Sequence, residues 1–350
     1  MFGKNENDLL YLCKGEVEQL CEELDTVAVI REVFALHGSG QTILPEEAYM
    51  SWVNEANEQV RNLNMPAYVR GSFQVAGTKI INGNPGNPRH GYERASGLIL
   101  LYDVLTTRVL CLMESATISS LRTASVTTLV TELFHGKAIE AIAMIGAGVQ
   151  AQAHISLLAQ RLPELRQVWL FDLDQSRAEA LQQRLIPLLQ EHSVTLRLAT
   201  SAEEAIKQAQ LVVPVTTVTQ GYIPFAWLQP GTIVVNISLD DVLPDVVLQA
   251  SKVVVDDWQL VKSDGRRLLG RMYRAGQVIG PEDAPQEMGG DSRRIDAELG
   301  DIILGRKTGR EHENDIILVN PFGLAIEDIA CAMRVYQKAL ARESGIWLPR

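Results

Sequence analysis

The sequence predicts an α/β protein: a doubly wound parallel sheet joined to an α+β portion. Three observations predict it. Between residues 141 and 256, short continuous apolar runs alternate with helical patterns. Before residue 135 the strand-like runs are separated by turns, not by helices. After about residue 312 the alternation breaks and the chain ends in one long helical pattern. Runs such as AIAMI or KVVVD suit strands buried on both faces, as in a parallel sheet covered by helices.

The elements follow in order. Glu16 to Leu36 carries Val17, Leu20, Leu24, Val27 and Ile30 at helical spacing, which predicts one helix. Val75–Asn82, Gly97–Asp103 and Arg108–Glu114 read as strands, and the short turn between the last two predicts a hairpin. Thr117 to Phe134 reads as a long helix that stops near Gly136. The parallel series is then 141–145, 168–172, 194–198, 211–215, 232–236 and 252–256, with a helix after each of the first three. The segment IILVNPFGLAIEDIACAMRVYQKAL ends in a helix with Ile326, Ile329, Ala330, Met333 and Tyr336 on one face. That helix is expected to leave the α/β domain and pack on the N-terminal portion. The expected domains are 1–130 with 315–350, and 131–314.

Composition narrows the class. A chain of 350 residues fits two domains. With 46% hydrophobic and 21% charged residues, global disorder is excluded. A net charge of −11 without a basic block argues against nucleic acid or an anionic membrane as partner. No apolar run approaches the roughly 18 residues that span a bilayer. The N-terminal MFGKNENDLL lacks the pattern of a secretory leader. Cys13, Cys21, Cys111 and Cys331 are scattered and form no C-x-x-C, so they read as reduced thiols. The six histidines show no metal-binding spacing, and no metal is expected. These features point to a soluble cytoplasmic enzyme.

The sharpest local signal is Gly146-Ala147-Gly148-Val149-Gln150-Ala151, a G-x-G-x-x-A that follows a strand and opens a helix. Gly146 permits the tight turn, Gly148 lets the backbone approach a pyrophosphate, and Ala151 keeps the helix close to the sheet. The helix N-terminus offers free N–H groups to the anion. Asp172 ends the second strand about 26 residues later, near the ~20 expected for the acid that binds ribose hydroxyls. A carboxylate there repels a 2′-phosphate, and no arginine immediately follows it. The motif therefore predicts a Rossmann domain binding NAD. Thr216 and Thr217 follow the fourth strand, where they either touch the cofactor or cap a turn. Thr123 and Ser238, together with Thr217, complete the expected cofactor contacts. His154 follows the glycine loop on the same helix and reads as packing.

Two cations stand out. Lys79 lies inside the apolar strand of GTKIINGNPGNP, where a lysine is costly unless paired or functional. Arg122 lies in SSLRTAS, on a helix otherwise built from apolar and small residues. Each is also read alternatively, as a snorkelling edge lysine and as half of a structural ion pair. With IGAGVQAQAH, VNISLDD and NPFGLAIEDIA, these motifs resemble the ornithine cyclodeaminase and μ-crystallin family, in its order and at its spacing from about residue 60 to 340.

The resemblance implies a homodimer. Its N-terminal domain binds substrate and makes the dimer, and a Rossmann domain is inserted before a returning C-terminal helix. It implies that Lys79 and Arg122 bind a substrate carboxylate, and that Asp241, rather than its neighbour Asp240, is the catalytic acid. Hydride would pass between the substrate Cα and the nicotinamide. Relatives acting on simple amino acids carry a further upstream arginine. Here TILPEEAYMSW is acidic, and Arg94 replaces a small hydroxyl residue. MPAYVRG, ERASG, NISLDDVLP, VVDDW and ELGDIILGRKTGRE resemble the branch containing a siderophore-pathway dehydrogenase that cleaves an N-linked amino-acid conjugate to 2,3-diaminopropionate and 2-oxoglutarate. In that reading Arg94, with Arg70 as a second candidate, binds a further carboxylate. Glu46 or Glu47 faces a substrate amine or is simply solvated. The alternatives are an ornithine- or lysine-type cyclodeaminase with internally recycled NAD, a ketimine reductase, and a non-catalytic crystallin-like cofactor binder. Asn320-Pro321-Phe322-Gly323 either returns the chain across the cofactor or is an ordinary turn.

Overall fold

The computed structural model describes residues 8–284 and 292–349; the first seven residues, on which the leader reading partly rests, lie outside them. In chain order the elements begin β1 (Leu9–Leu12), α1 (Lys14–Cys21), α2 (Thr26–Gly38), β2 (Thr42–Ile43), β3 (Ala48–Val53), β4 (Gln59–Val69), β5 (Val75–Gly83), β6 (Ala95–Tyr102), β7 (Val109–Glu114) and α3 (Ala116–Leu133). They continue β8 (Ala141–Ile145), α4 (Val149–Arg161), β9 (Gln167–Phe171), α5 (Gln175–Glu191), β10 (Thr195–Leu198), α6 (Ala202–Lys207), β11 (Leu211–Pro214) and β12 (Ile233–Val235). Next come α7 (Pro244–Gln249), β13 (Lys252–Val255), α8 (Trp258–Ser263), α9 (Leu268–Arg274), β14 (Val278–Ile279) and β15 (Arg293–Arg294). Last are β16 (Ala297–Glu298), α10 (Leu299–Ile303), β17 (Ile317–Val319), α11 (Ala325–Arg342) and β18 (Ile346–Leu348).

The chain forms two compact units, Met1–Arg122 with Leu324–Arg350, and Thr123–Gly323. The division falls at Arg122/Thr123 inside α3 and at the start of α11, whereas the sequence pattern places it at 130/131, in the last turn of α3, and at 314/315, before β17.

The first unit is built on a mixed sheet in the order β18-β1-β7-β6-β5-β4-β2, with β3 also pairing β4. β6 and β7 form the expected antiparallel hairpin. Its strands alternate: Met65, Ala67 and Val69 of β4 are buried, and the residues between them are half-buried, as a one-sided sheet demands. α11 packs on that buried face, against β4 and β5, and also against α2. One rung of the face runs Leu12, Met113, Ile99, Lys79, Met65. Lys79 thus occupies a core position between apolar neighbours. The helix expected over 16–36 is instead two. It breaks at Glu22–Asp25, where the Asp25 carboxylate accepts a hydrogen bond from Ala28 N at 3.1 Å. The Asp-Thr capping signal overrode the continuous apolar spacing.

The second unit holds the parallel sheet, in the order β10-β9-β8-β11-β12-β17-β13-β16. All six expected strands are present, and β17, from the ILV of IILVN, is inserted between β12 and β13. Strand order reverses at β8, whose neighbours are β9 and β11. A crevice for ligand opens at the carboxyl ends of strands at such a reversal. The core beneath it includes Ala143, Val212, Val234, Val253 and Leu318. No helix among the described residues is long and apolar enough to cross a membrane. The four cysteines are free, and no group of three or more metal-ligating side chains assembles among the described residues.

Candidate active site

At the β8 reversal, Gly146 takes φ +105° and its N–H donates to Phe171 O at 2.7 Å. Only glycine accepts that φ readily. A Cβ there would also stand 3.1 Å from Val215 O, so the turn is pressed against the end of β11. At Gly148 the same construction meets nothing within 4 Å: the space above this glycine is open. Gly148 caps α4, and the exposed Val149 is its first residue. Ala151 is fully buried, seating the helix. Asp172 accepts from Ala147 N at 2.7 Å and from Asp174 N at 2.9 Å, one bond to each oxygen. A carboxylate has about four acceptor positions, so each oxygen retains capacity for a ribose hydroxyl. An open glycine, a free helix N-terminus and an acid tied to the loop together fit a dinucleotide pyrophosphate and ribose. Gln150 Oε1 is buried without a partner among the described residues. His154 bonds Gln150 O at 2.8 Å and Thr127 Oγ1 at 3.0 Å, and burial pushes its imidazole down to about 4. It is a neutral packing residue.

Asp241 lies beside this loop. Val215, which Gly146 packs against, is followed by Thr216, whose hydroxyl donates to Asp241 Oδ1 at 2.7 Å. Tyr222 OH donates to the same oxygen at 2.9 Å. The residue is wholly buried, and Oδ2 has no hydrogen-bond partner among the described residues. Burial raises the Asp241 carboxyl above its ordinary range, although bonds from Thr216, Ser238 and Tyr222 oppose this. Asp240 is bound on both oxygens by Arg271, at 2.7 and 3.2 Å. Of the two adjacent acids, therefore, Asp241 carries the unsatisfied oxygen. Thr217 is exposed, and Thr216 is the threonine that faces Asp241. Ser238 donates to Pro214 O at 3.0 Å. The Asn320–Gly323 turn is fixed by Asp256, which accepts from Phe322 N at 2.7 Å and Gly323 N at 2.8 Å.

The first unit holds the second constellation. Lys79 Nζ donates to Asp328 Oδ2 at 2.6 Å and to Ser119 Oγ at 3.4 Å. Arg122 donates through Nε to Asp328 Oδ1 at 3.1 Å and through Nη1 to Glu327 Oε2 at 2.6 Å. All four charged side chains are buried. Burial lowers the Lys79 ammonium, Asp328 opposes this, and the Arg122 charge adds to it; the net shift is downward. For Arg122 burial also opposes the charge, but Asp328 and Glu327 outweigh it and the net shift is upward. Among the described residues, Nη2 of Arg122 and the third Nζ proton of Lys79 make no further hydrogen bond.

Glu327 and Asp328 were missed by sequence reasoning. Their signal was two adjacent acids inside the apolar run LAIEDIA, the same kind of signal that singled out Lys79. Thr123, next to Arg122 on α3, is half-buried. Arg94 is exposed and lies just before β6, where its carbonyl accepts from Asn84 N at 2.8 Å. Asn84 is five residues beyond Lys79, roughly 16 Å at the rise of a strand. Arg94 is therefore not brought into the cluster. Arg70 is exposed with its guanidinium 5.8 Å from the Tyr68 ring centroid. Glu46 is exposed and Glu47 half-buried. Ala48 pairs Asn64 and Lys79 pairs Met65, so Glu47 extends the Lys79 rung, and its charge favours the ammonium.

Known proteins resemble this chain along nearly its whole length. The model of the ornithine cyclodeaminase/mu-crystallin family matches residues 7–343. N-((2S)-2-amino-2-carboxyethyl)-L-glutamate dehydrogenase of Staphylococcus aureus is 30% identical over 346 residues, covering 97% of this chain and 98% of that protein. Among solved structures, CmnK has a TM-score of 0.88 at 32% identity, with 98% of each chain covered. An archaeal alanine dehydrogenase dimer with bound NAD has a TM-score of 0.80 at 26% identity, covering 97% of this chain and 99% of that one. The chain belongs to the ornithine cyclodeaminase/mu-crystallin family.

Proposed function

We propose that this protein is an NAD-dependent oxidoreductase acting at the C–N bond of an amino acid or an N-linked amino-acid conjugate. The observation that carries the reading is the pairing of a dinucleotide loop with a buried carboxyl that has one oxygen to spare. The two follow β8 and β12, which flank β11 in one sheet, and are linked through Val215 and Thr216 beyond the end of β11. NAD, held by Gly146, Gly148, Val149, Gln150, Ala151 and Asp172 with Thr123, Thr217 and Ser238 at its margins, would supply the acceptor for two electrons and one hydrogen. Asp241 takes the proton from the substrate nitrogen as the C–H bond breaks and C=N forms; water then divides a conjugate into an oxo acid and an amine. Raised by burial, this carboxyl is suited to holding or releasing a proton, the usual requirement of an acid–base group. Lys79 and Arg122 bind the substrate carboxylate through the donors that Glu327 and Asp328 leave unused.

The substrate class is supported by the similarity to the S. aureus dehydrogenase and by the acidic TILPEEAY segment. Arg94 is assigned to a distal carboxylate of such a conjugate, reached only by an extended ligand. The protein works as a homodimer. The exposed Tyr49, Met50 and Trp52 of β3 and Leu98 of β6 support this, as does the dimeric alanine dehydrogenase relative. We place it in the cytoplasm, in a secondary-metabolite or siderophore pathway that consumes a released diamino acid.

The test uses NAD with N-((2S)-2-amino-2-carboxyethyl)-L-glutamate, L-alanine, L-proline, L-ornithine and L-lysine in parallel, following NADH absorbance and ammonia. NADH formation with the conjugate is the expected result. Ammonia without NADH from ornithine or lysine would replace the reading with a cyclodeaminase. Tight NAD binding with no turnover of any probe in either direction would leave only a cofactor binder.

A further inference from the structure

We propose, resting on the reading that Asp241 handles the substrate nitrogen, that Tyr222 and Thr216 are positioning residues: they occupy Oδ1 of Asp241 and leave Oδ2 as the acceptor for the substrate's nitrogen-bound proton. The two donors converge on one oxygen, Thr216 Oγ1 at 2.7 Å and Tyr222 OH at 2.9 Å. Two donors fill the two lone pairs of an oxygen in the carboxylate plane. Oδ2 is buried and has no partner among the described residues, an arrangement that costs free energy unless a ligand completes it.

Ser238 also favours the charged form of the Asp241 carboxyl, yet no donor among the described residues completes a hydrogen bond to Oδ2. Ser238 has one hydroxyl proton, and it is directed to Pro214 O at 3.0 Å. Asp240 offers no donor and is engaged by Arg271. The backbone holds the assembly independently of the phenol: Tyr222 N and Ile223 N both donate to Asp241 O at 2.9 Å, and Ile223 bridges Val242. Tyr222→Phe therefore deletes one hydrogen bond and leaves the local backbone pairing. The titratable groups facing Asp241 are Tyr222 and Asp240. Burial and then the Asp241 charge push the Tyr222 phenol up, so it remains a donor across the working range. The Asp240 charge repels that of Asp241 and is held by Arg271.

Each donor favours the ionised carboxylate, so removing one raises the pH at which Asp241 takes a proton. The full-length protein, labelled with 13C at aspartate carboxyls and saturated with NAD, reads this directly; the Asp241 resonance is assigned by its loss in Asp241→Asn. In Tyr222→Phe and in Thr216→Val its midpoint should move up by roughly one pH unit, the scale of one hydrogen bond to a charged group. With N-((2S)-2-amino-2-carboxyethyl)-L-glutamate as probe, the acidic limb of kcat/KM should move with it, while NAD affinity stays at the wild-type value. Thr216→Ser should restore the wild-type midpoint. A resonance unmoved in both variants, with Asp241→Asn inactive, overturns the positioning role and leaves the reading of Asp241 standing. Wild-type turnover by Asp241→Asn removes that reading, and the positioning role falls with it.

Discussion

The two units bury acids in opposite ways. In the first, Glu327 and Asp328 meet Lys79 and Arg122, so two negative charges answer two positive ones at 2.6–3.1 Å. In the second, Asp241 is met by the hydroxyls of Thr216 and Tyr222, and no ion pair reaches it among the described residues. The first arrangement gives every charge a partner, and removing any one strands the group it met. The second disfavours charge without forbidding it, so the group can change protonation state during a reaction. A neutralised cluster holds its own groups in place; a lone, raised carboxyl suits the transfer of a proton.

Four measurements break or sharpen this contrast, beginning with the largest effect. Asp328→Ala leaves Lys79 buried without its main counter-charge. Urea unfolding should show a loss of about 3–5 kcal/mol, the scale for breaking a buried ion pair. The double variant Lys79→Met/Asp328→Leu should lose clearly less; equal losses would mean the cluster is not an electrostatic unit. Asp241→Asn preserves shape and removes the charge and the base. Its single-turnover rate should fall roughly 100-fold or more with NAD affinity unchanged. Asp240→Asn should stay much closer to wild type, and an inactive Asp240→Asn would move the acid–base role to Asp240.

Asp172→Ser should weaken NAD binding by about 1.5–3 kcal/mol, through lost charge-assisted bonds to ribose, and narrow the discrimination against NADP. A wild type that already prefers NADP in titration would cancel the assignment of Asp172. His154 supplies the smallest effect and a pH test. Its imidazole is pushed down to about 4 in the fold, against about 6.5 in the unfolded chain. Between these values the unfolded state binds more protons, so stability is complete above about 6.5 and falls as pH drops through the window. From about pH 7 to 5 the wild type should lose roughly 2 kcal/mol more than His154→Gln. Identical pH slopes for the two proteins would show that His154 is not held neutral.

How much of this was legible depends on whether a signal is local. The parallel strands were readable because a strand buried on both faces must be apolar throughout its buried stretch, and AIAMI, LVVPV and the VVV of KVVVD are. The glycine loop was readable because the backbone at Gly146, with φ +105°, restricts the residue there. The break at Asp25 is readable in principle too, since a capping residue interrupts a helix, but the apolar spacing of Val17, Leu20, Leu24, Val27 and Ile30 runs on through it and masks the cap. β1, β17 and β18 have 3–4 residues each, too few to declare a period.

Sequence alone determined that Lys79 and Arg122 needed partners, that a dinucleotide loop follows β8, and that an acid stands at Asp240 or Asp241. Tertiary structure decided who the partners are. Asp328 reaches Lys79 across 249 positions and Arg122 across 206, a pairing set by how α11 packs on the sheet. Tertiary structure also put Thr216 and Tyr222 on one oxygen of Asp241, separated Asp240 by giving it Arg271, and left Arg94 outside the cluster. The physical reason is the same throughout. Burial and covalent spacing are written along the chain, but a hydrogen bond or ion pair depends on distance and direction, which exist only once distant segments have packed.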